Sequence, residues 1–137
     1  MEGEQTASGL ISQAADLPSL LDAAWQVFEH ILASLRAAEE DAGPLLAALV
    51  MAAAAAADGR DAIGAAPALP SAASPLPLPA APGSPDSTAD QAASLARLLQ
   101  DRLAAAPDGS MADQAAITSA IGCARRIREL LGAADGR

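Results

Sequence analysis

The side chains able to do chemistry are few: one histidine and one cysteine, with eight arginines and seventeen carboxylates, in a chain of 137 residues. His30 follows Glu29, and Asp22 lies about two helical turns earlier, so the chemistry on offer is a general base oriented by a carboxylate. In a helical frame His30 falls opposite the apolar seam described below, the place of an exposed helix residue with no catalytic part. Cys123 sits between Gly122 and Ala124. A reactive thiolate needs a base, a cation or a helix N-terminus to lower its pKa. Arg125 and Arg126 are close in sequence, but a mid-helix place among alanines predicts a small structural residue. A metal pair in a helical bundle would need Glu-x-x-His on facing helices. Glu29-His30 has the wrong spacing and there is no second histidine. A lone cysteine can form neither an intramolecular disulfide nor a cysteine metal cluster. No glycine loop for phosphates and no nucleophile elbow occurs. Neither catalytic residues nor a cofactor is expected.

Arg125, Arg126 and Arg128, with Arg97 and Arg102 upstream, form the one basic concentration. Their simplest use is to meet the acidic first half, above all Glu39, Glu40 and Asp41. Exposed pairs of this kind add only ~0–1 kcal/mol each but fix register and partner choice. The sharper use is to bind an anionic ligand or RNA. Residues 1–64 hold ten acids against Arg36 and Arg60, a net −8, while residues 84–137 hold seven against six, a net −1. A chain of net charge −9, with no lysine and with Trp25 and Phe28 as its aromatics, does not look like a nucleic-acid binder, and anionic membranes would repel it. Every cation is arginine in a chain rich in Ala, Gly, Pro and Asp, which GC-rich coding produces by itself. Arginine here is therefore no sign of selection for bidentate contacts. Asp58-Gly59-Arg60-Asp61 reads as a charged turn at a helix end.

These groups must be positioned by helices. Leu17, Leu21, Ala24, Phe28, Ile31, Leu35 and Ala38 follow a 4-3 spacing over three heptads, broadened by Leu20, Trp25, Val27 and Leu32. So wide a seam suits a multi-helix bundle better than a two-stranded coil. Asp16 can cap this first helix, with Pro18 in its first turn and a stop at Gly43-Pro44 after about 39 Å. A second helix starts at Pro44, carries Leu45, Leu46, Leu49, Val50 and Ala53 on one side, and meets a stop signal at Asp58-Gly59, with room for a further turn through Asp61, Ala62 and Ile63 before the prolines. Seven of the ten prolines then lie between Pro67 and Pro85. Such a segment joins neither a helix nor a sheet interior; it reads as a tether, with Pro75-Leu76-Pro77-Leu78-Pro79 as a polyproline ligand in the alternative. Beyond it, Ser87-Thr88-Ala89-Asp90-Gln91-Ala92-Ala93 recurs as Ser110-Met111-Ala112-Asp113-Gln114-Ala115-Ala116. Each copy reads as a helix start with a serine cap and an acid three residues on. Pro107-Asp108-Gly109 makes the turn between them.

The sequence thus predicts an all-α fold: two antiparallel helical hairpins forming a four-helix bundle. The divisions are a flexible N-terminus over 1–16 with one short turn near Leu10 and Ile11, a hairpin over 17–64, a disordered Pro/Ala-rich linker over 65–86, and a hairpin over 87–137. With 39 alanines the core is thin, and self-association would bury more surface. The expected function is a non-enzymatic helical interaction module, a homodimer or the ligand of a protein partner, docking through Leu17, Leu21, Trp25, Phe28, Ile31 and Leu35. A small-molecule-binding or catalytic helical domain using His30, Cys123 or the arginines is the alternative, and a nucleic-acid-associated regulator the weaker one. The acidic start and the absence of a membrane-length apolar run predict a cytoplasmic protein.

Overall fold

In a computed structural model, residues 7–69 and 84–134 are described, and every regular element among them is helical. In chain order these are α1 (Ala7–Gln13), α2 (Leu17–Ala38), α3 (Leu46–Gly64), α4 (Pro85–Ala104) and α5 (Met111–Ala134). The proline run from Pro70 to Pro82, with its candidate polyproline ligand, lies outside the described residues.

Helix α2 is the centre of the molecule. Leu20, Leu21, Ala24, Val27, Phe28, Ile31, Leu32 and Leu35 are all buried, which covers much more than one stripe of the helix. Helix α2 packs against α3 and α4, α5 packs against the same two, and α1 lies against α2 and α4. Its start is capped as the sequence predicts: the Ser19 amide donates to Asp16 Oδ1 at 2.8 Å, with Pro18 in the first turn.

Its end comes earlier than Gly43. The α-helix stops at Ala38, about 33 Å long. Glu39–Asp41 forms a tight 3-10 turn, and three carboxylates at a helix C-terminus are disfavoured by the helix dipole. Gly43 then takes φ +55°, the left-handed region a side chain rarely adopts, and turns the chain towards α3. A second 3-10 turn, Gly43–Leu45, precedes α3, so that helix begins at Leu46 and not at Pro44.

Three further expectations are corrected. First, α3 runs straight through Asp58-Gly59 to Gly64. Ile63 is wholly buried and Arg60 pairs with Glu29 of α2, so the last turn has contacts that hold it. Gly59 is a packing glycine: a Cβ built there would lie 2.6 Å from Phe28 Cζ and 2.8 Å from Phe28 Cδ1. Secondly, α3 faces inward through Leu49, Ala52, Ala53, Ala56, Gly59 and Ile63, leaving Leu46 and Val50 exposed. Thirdly, α4 is capped by Ser84 and not by Ser87. The Ser87 amide donates to Ser84 Oγ at 3.1 Å, and Pro85 occupies the first turn.

Where a flexible N-terminus with one turn is expected, Ala7–Gln13 forms a helix with Ile11 wholly buried. Two turns do not persist alone; burying one isoleucine contributes about 1.5–3 kcal/mol towards holding them. Arg102 of α4 adds to this, its Nε donating to the Ile11 carbonyl at 3.2 Å and its Nη2 to the Ala14 carbonyl at 2.5 Å. Those carbonyls close the C-terminal end of α1, where a helix lacks its own donors.

Candidate functional site

The expected docking seam is already occupied. Leu17, Leu21, Phe28, Ile31 and Leu35 are buried within the chain, and Trp25 is half-buried. The face expected to meet another molecule forms the core with α3 and α4, because a second pair of helices from the same chain supplies its cover. The large apolar side chains that remain open among the described residues lie elsewhere. Leu46, Val50 and Met51 are 46, 46 and 45 % exposed on the first half of α3, and Met111 is exposed at the start of α5. No residue with a charge lies between Pro44 and Ala57.

His30 is half-buried where α1, α2 and α4 meet, so it is not the fully exposed residue expected. Together with Ser8, Asp90, Gln91 and Leu95 it lines a shallow pocket of about 380 Å3. Burial lowers its pKa, which keeps the imidazole neutral at pH 7. Of the carboxylates expected to serve it, Glu29 pairs with Arg60, and Asp22 Oδ2 accepts from Gln26 Nε2 at 3.1 Å while Asp22 Oδ1 is buried with no partner among the described residues. Beneath the imidazole, Ile31, Ser34, Thr88 and Ala92 enclose a space of about 10 Å3, the size of one water. Ser34 Oγ is buried there with no partner among the described residues, and a bridging water is its natural complement.

Cys123 is half-buried on α5. Burial, and secondarily the charge of Asp58, pushes its pKa up against a smaller opposing effect of Arg126. A protonated thiol is a poor nucleophile. Among the described residues no three of His, Cys, Asp and Glu gather as metal ligands would.

The arginines separate by role. Arg102 closes α1, and Arg60 joins α3 to α2 and also bonds Asp61. The expected pairing of Arg125, Arg126 and Arg128 with Glu39, Glu40 and Asp41 does not form: the ion pairs among the described residues are those of Arg60. Arg125 and Arg128 of α5 line, with Arg97 of α4, an open groove of about 730 Å3. Its other walls are Ala93, Ser94, Glu129 and Gly132. Arg126 is exposed and does not line the groove.

Asp113 is a structural centre that the capping pattern partly anticipates. The Asp113 amide donates to Ser110 Oγ at 3.1 Å, while the Ser110 amide and hydroxyl donate to Asp113 Oδ2 at 3.1 and 2.9 Å. Its other oxygen, Oδ1, accepts from the Ala68 amide at 2.9 Å, tying the chain beyond α3 to the start of α5. The Ala68 hydrogen bond is the main reason its carboxyl stays below the ordinary range, with Ser110 adding to it and burial opposing. No helix among the described residues is long and apolar enough to cross a membrane. No protein-family model, no curated protein and no solved structure matches this chain.

Proposed function

We propose that the chain is a non-enzymatic, cytoplasmic helical interaction module: a four-helix bundle of two antiparallel hairpins that self-associates through the outer face of α3. The pairing of the helices supports the bundle. Across α2 and α3, Gly64 faces Trp25 and Gly59 faces Phe28, so numbers rise on one helix as they fall on the other. Across α4 and α5, Arg128 donates to Gln100 Oε1 at 2.5 Å, and the short connection from Ala104 to Met111 joins the two packed helices in opposed directions. With α2 and α5 each touching both α3 and α4, the four long helices make a closed ring.

The observation that carries self-association is the exposed group Leu46, Val50 and Met51 on a helix face without charge. A two-fold axis lays one such face on its own copy, which makes it self-complementary. The exposed alanines Ala47 and Ala54 beside it let two helices approach closely. A net charge of −9 sets two copies against each other, and a face without charge adds nothing to that repulsion. Three half-exposed side chains are well below the ~800 Å2 per partner of a standard interface, so the dimer is weak and concentration-dependent. The alternative of a catalytic domain has less to rest on, with Glu29 paired to Arg60 and Cys123 protonated.

Sedimentation velocity over a concentration series tests the reading. The wild-type chain is expected to shift from monomer towards dimer, and Val50→Asp with Met51→Asp to remain monomeric with an unchanged far-UV circular dichroism spectrum. A wild-type chain that stays monomeric at every concentration overturns it.

A further inference from the structure

Three cations gathered in one groove are hard to account for on a chain whose acids outnumber its arginines by seventeen to eight. Arg125 and Arg128 are three residues apart on α5, where neighbouring like charges disfavour the helix. Arg97 brings a third guanidinium from α4 to the same groove. The fold does little to relieve this repulsion. Arg97 and Arg125 have no hydrogen bond or ion pair with any described residue, and Arg128 bonds only the neutral amide oxygen of Gln100. Glu129 is the one carboxylate in the lining.

We infer that the α4–α5 groove binds a compact polyphosphate, held by the guanidinium groups of Arg97, Arg125 and Arg128. Guanidinium forks match phosphoryl oxygens two at a time, and an anion carrying several charges answers three cations where a single carboxylate does not. Ala93 and Gly132 keep the groove walls low beside the helix backbones, and the Ser94 hydroxyl adds a neutral donor. The ligand is small, and recognised by its phosphates. Both aromatic residues, Trp25 and Phe28, are on α2, so no ring lines the groove for a base to stack on. That disfavours a nucleic-acid strand. The groove shares no residue with the α3 face, so it stands or falls independently of self-association.

Isothermal titration of the full chain with pyrophosphate at low salt tests the inference. Binding is expected, weakened about tenfold or more in Arg97→Gln with Arg125→Gln, each change removing a charge-assisted contact. Arg126→Gln, which alters the same helix and net charge outside the groove, is expected to bind as the wild type does. Titration with tripolyphosphate and with ATP then separates the sources: equal affinity marks the phosphate chain alone, and tighter ATP binding marks a nucleotide. Absence of pyrophosphate binding by the wild-type chain overturns the inference. So does a loss in Arg126→Gln as large as that in the groove variant, which would reduce the effect to diffuse charge.

Discussion

Alanine in place of Gly59 is the sharpest probe of how α3 meets α2. On helix propensity alone Gly59→Ala stabilises by up to about 1 kcal/mol, since glycine loses the most backbone freedom on folding. The contact geometry opposes that gain. Ordinary van der Waals contact begins near 3.4 Å, and the new methyl would sit at 2.6 Å from Phe28 Cζ. The Phe28 ring is wholly buried, so it cannot swing aside into solvent. Overpacking of this kind costs about 1–3 kcal/mol, which leaves a net loss of about 1 kcal/mol and a fall of about 4 °C in Tm. Gly122 supplies the control, because a Cβ there meets nothing within 4 Å. Gly122→Ala should raise Tm, by the propensity gain alone. In a Phe28→Leu background the obstruction is gone, and Gly59→Ala should become neutral or stabilising. Thermal and urea unfolding of the four variants, followed by circular dichroism, make a double-mutant cycle with its control. If Gly59→Ala raises Tm in the wild-type chain as much as Gly122→Ala does, the close approach of α3 to Phe28 is refuted.

Two other contacts make distinct claims. Asp113 has a lowered carboxyl pKa, so the stability it contributes is full above the ordinary carboxylate range and is lost as pH falls through its folded value. Asp113→Asn should flatten the acid limb of a Tm-against-pH curve; a parallel limb in the variant would contradict the hydrogen bonds from Ala68 and Ser110. Arg102→Met keeps the apolar stem and removes both donors to the end of α1, at a cost of about 1–3 kcal/mol. Amide exchange around Ile11 should lose its protection while that around Ile127 keeps it, and unchanged protection at Ile11 would remove Arg102 from that role.

The sequence was most legible where chemistry is local. Asp16 and Ser110 act as caps because each needs only its own next three residues, and both are read directly from the chain. Ser87 carries the same motif as Ser110 and still fails. Ser84-Pro85 stands three residues upstream, and a serine followed by proline makes a competent earlier start. The heptad of α2 declared that a face must be buried, and Leu21, Phe28, Ile31 and Leu35 are. Periodicity is silent about what covers that face. The answer lay in α3 and α4, whose alanines carry little pattern of their own.

Helix α3 shows why the rest was hidden. Six consecutive alanines from Ala52 to Ala57 give no preferred side, so its orientation is set by the few positions that differ. Gly59 was decisive, and as a letter it reads as a stop. Only beside the Phe28 ring does its missing Cβ become the feature that lets α3 lie close to α2. With that contact made, Leu49, Ala56 and Ile63 must turn inward, and Leu46, Val50 and Met51 are carried to the outside. The uncharged outer face is thus a consequence of the core. A chain that spends its leucines on α2 and its alanines on α3 can close its interior with small residues, and leaves its spare apolar side chains for a second surface.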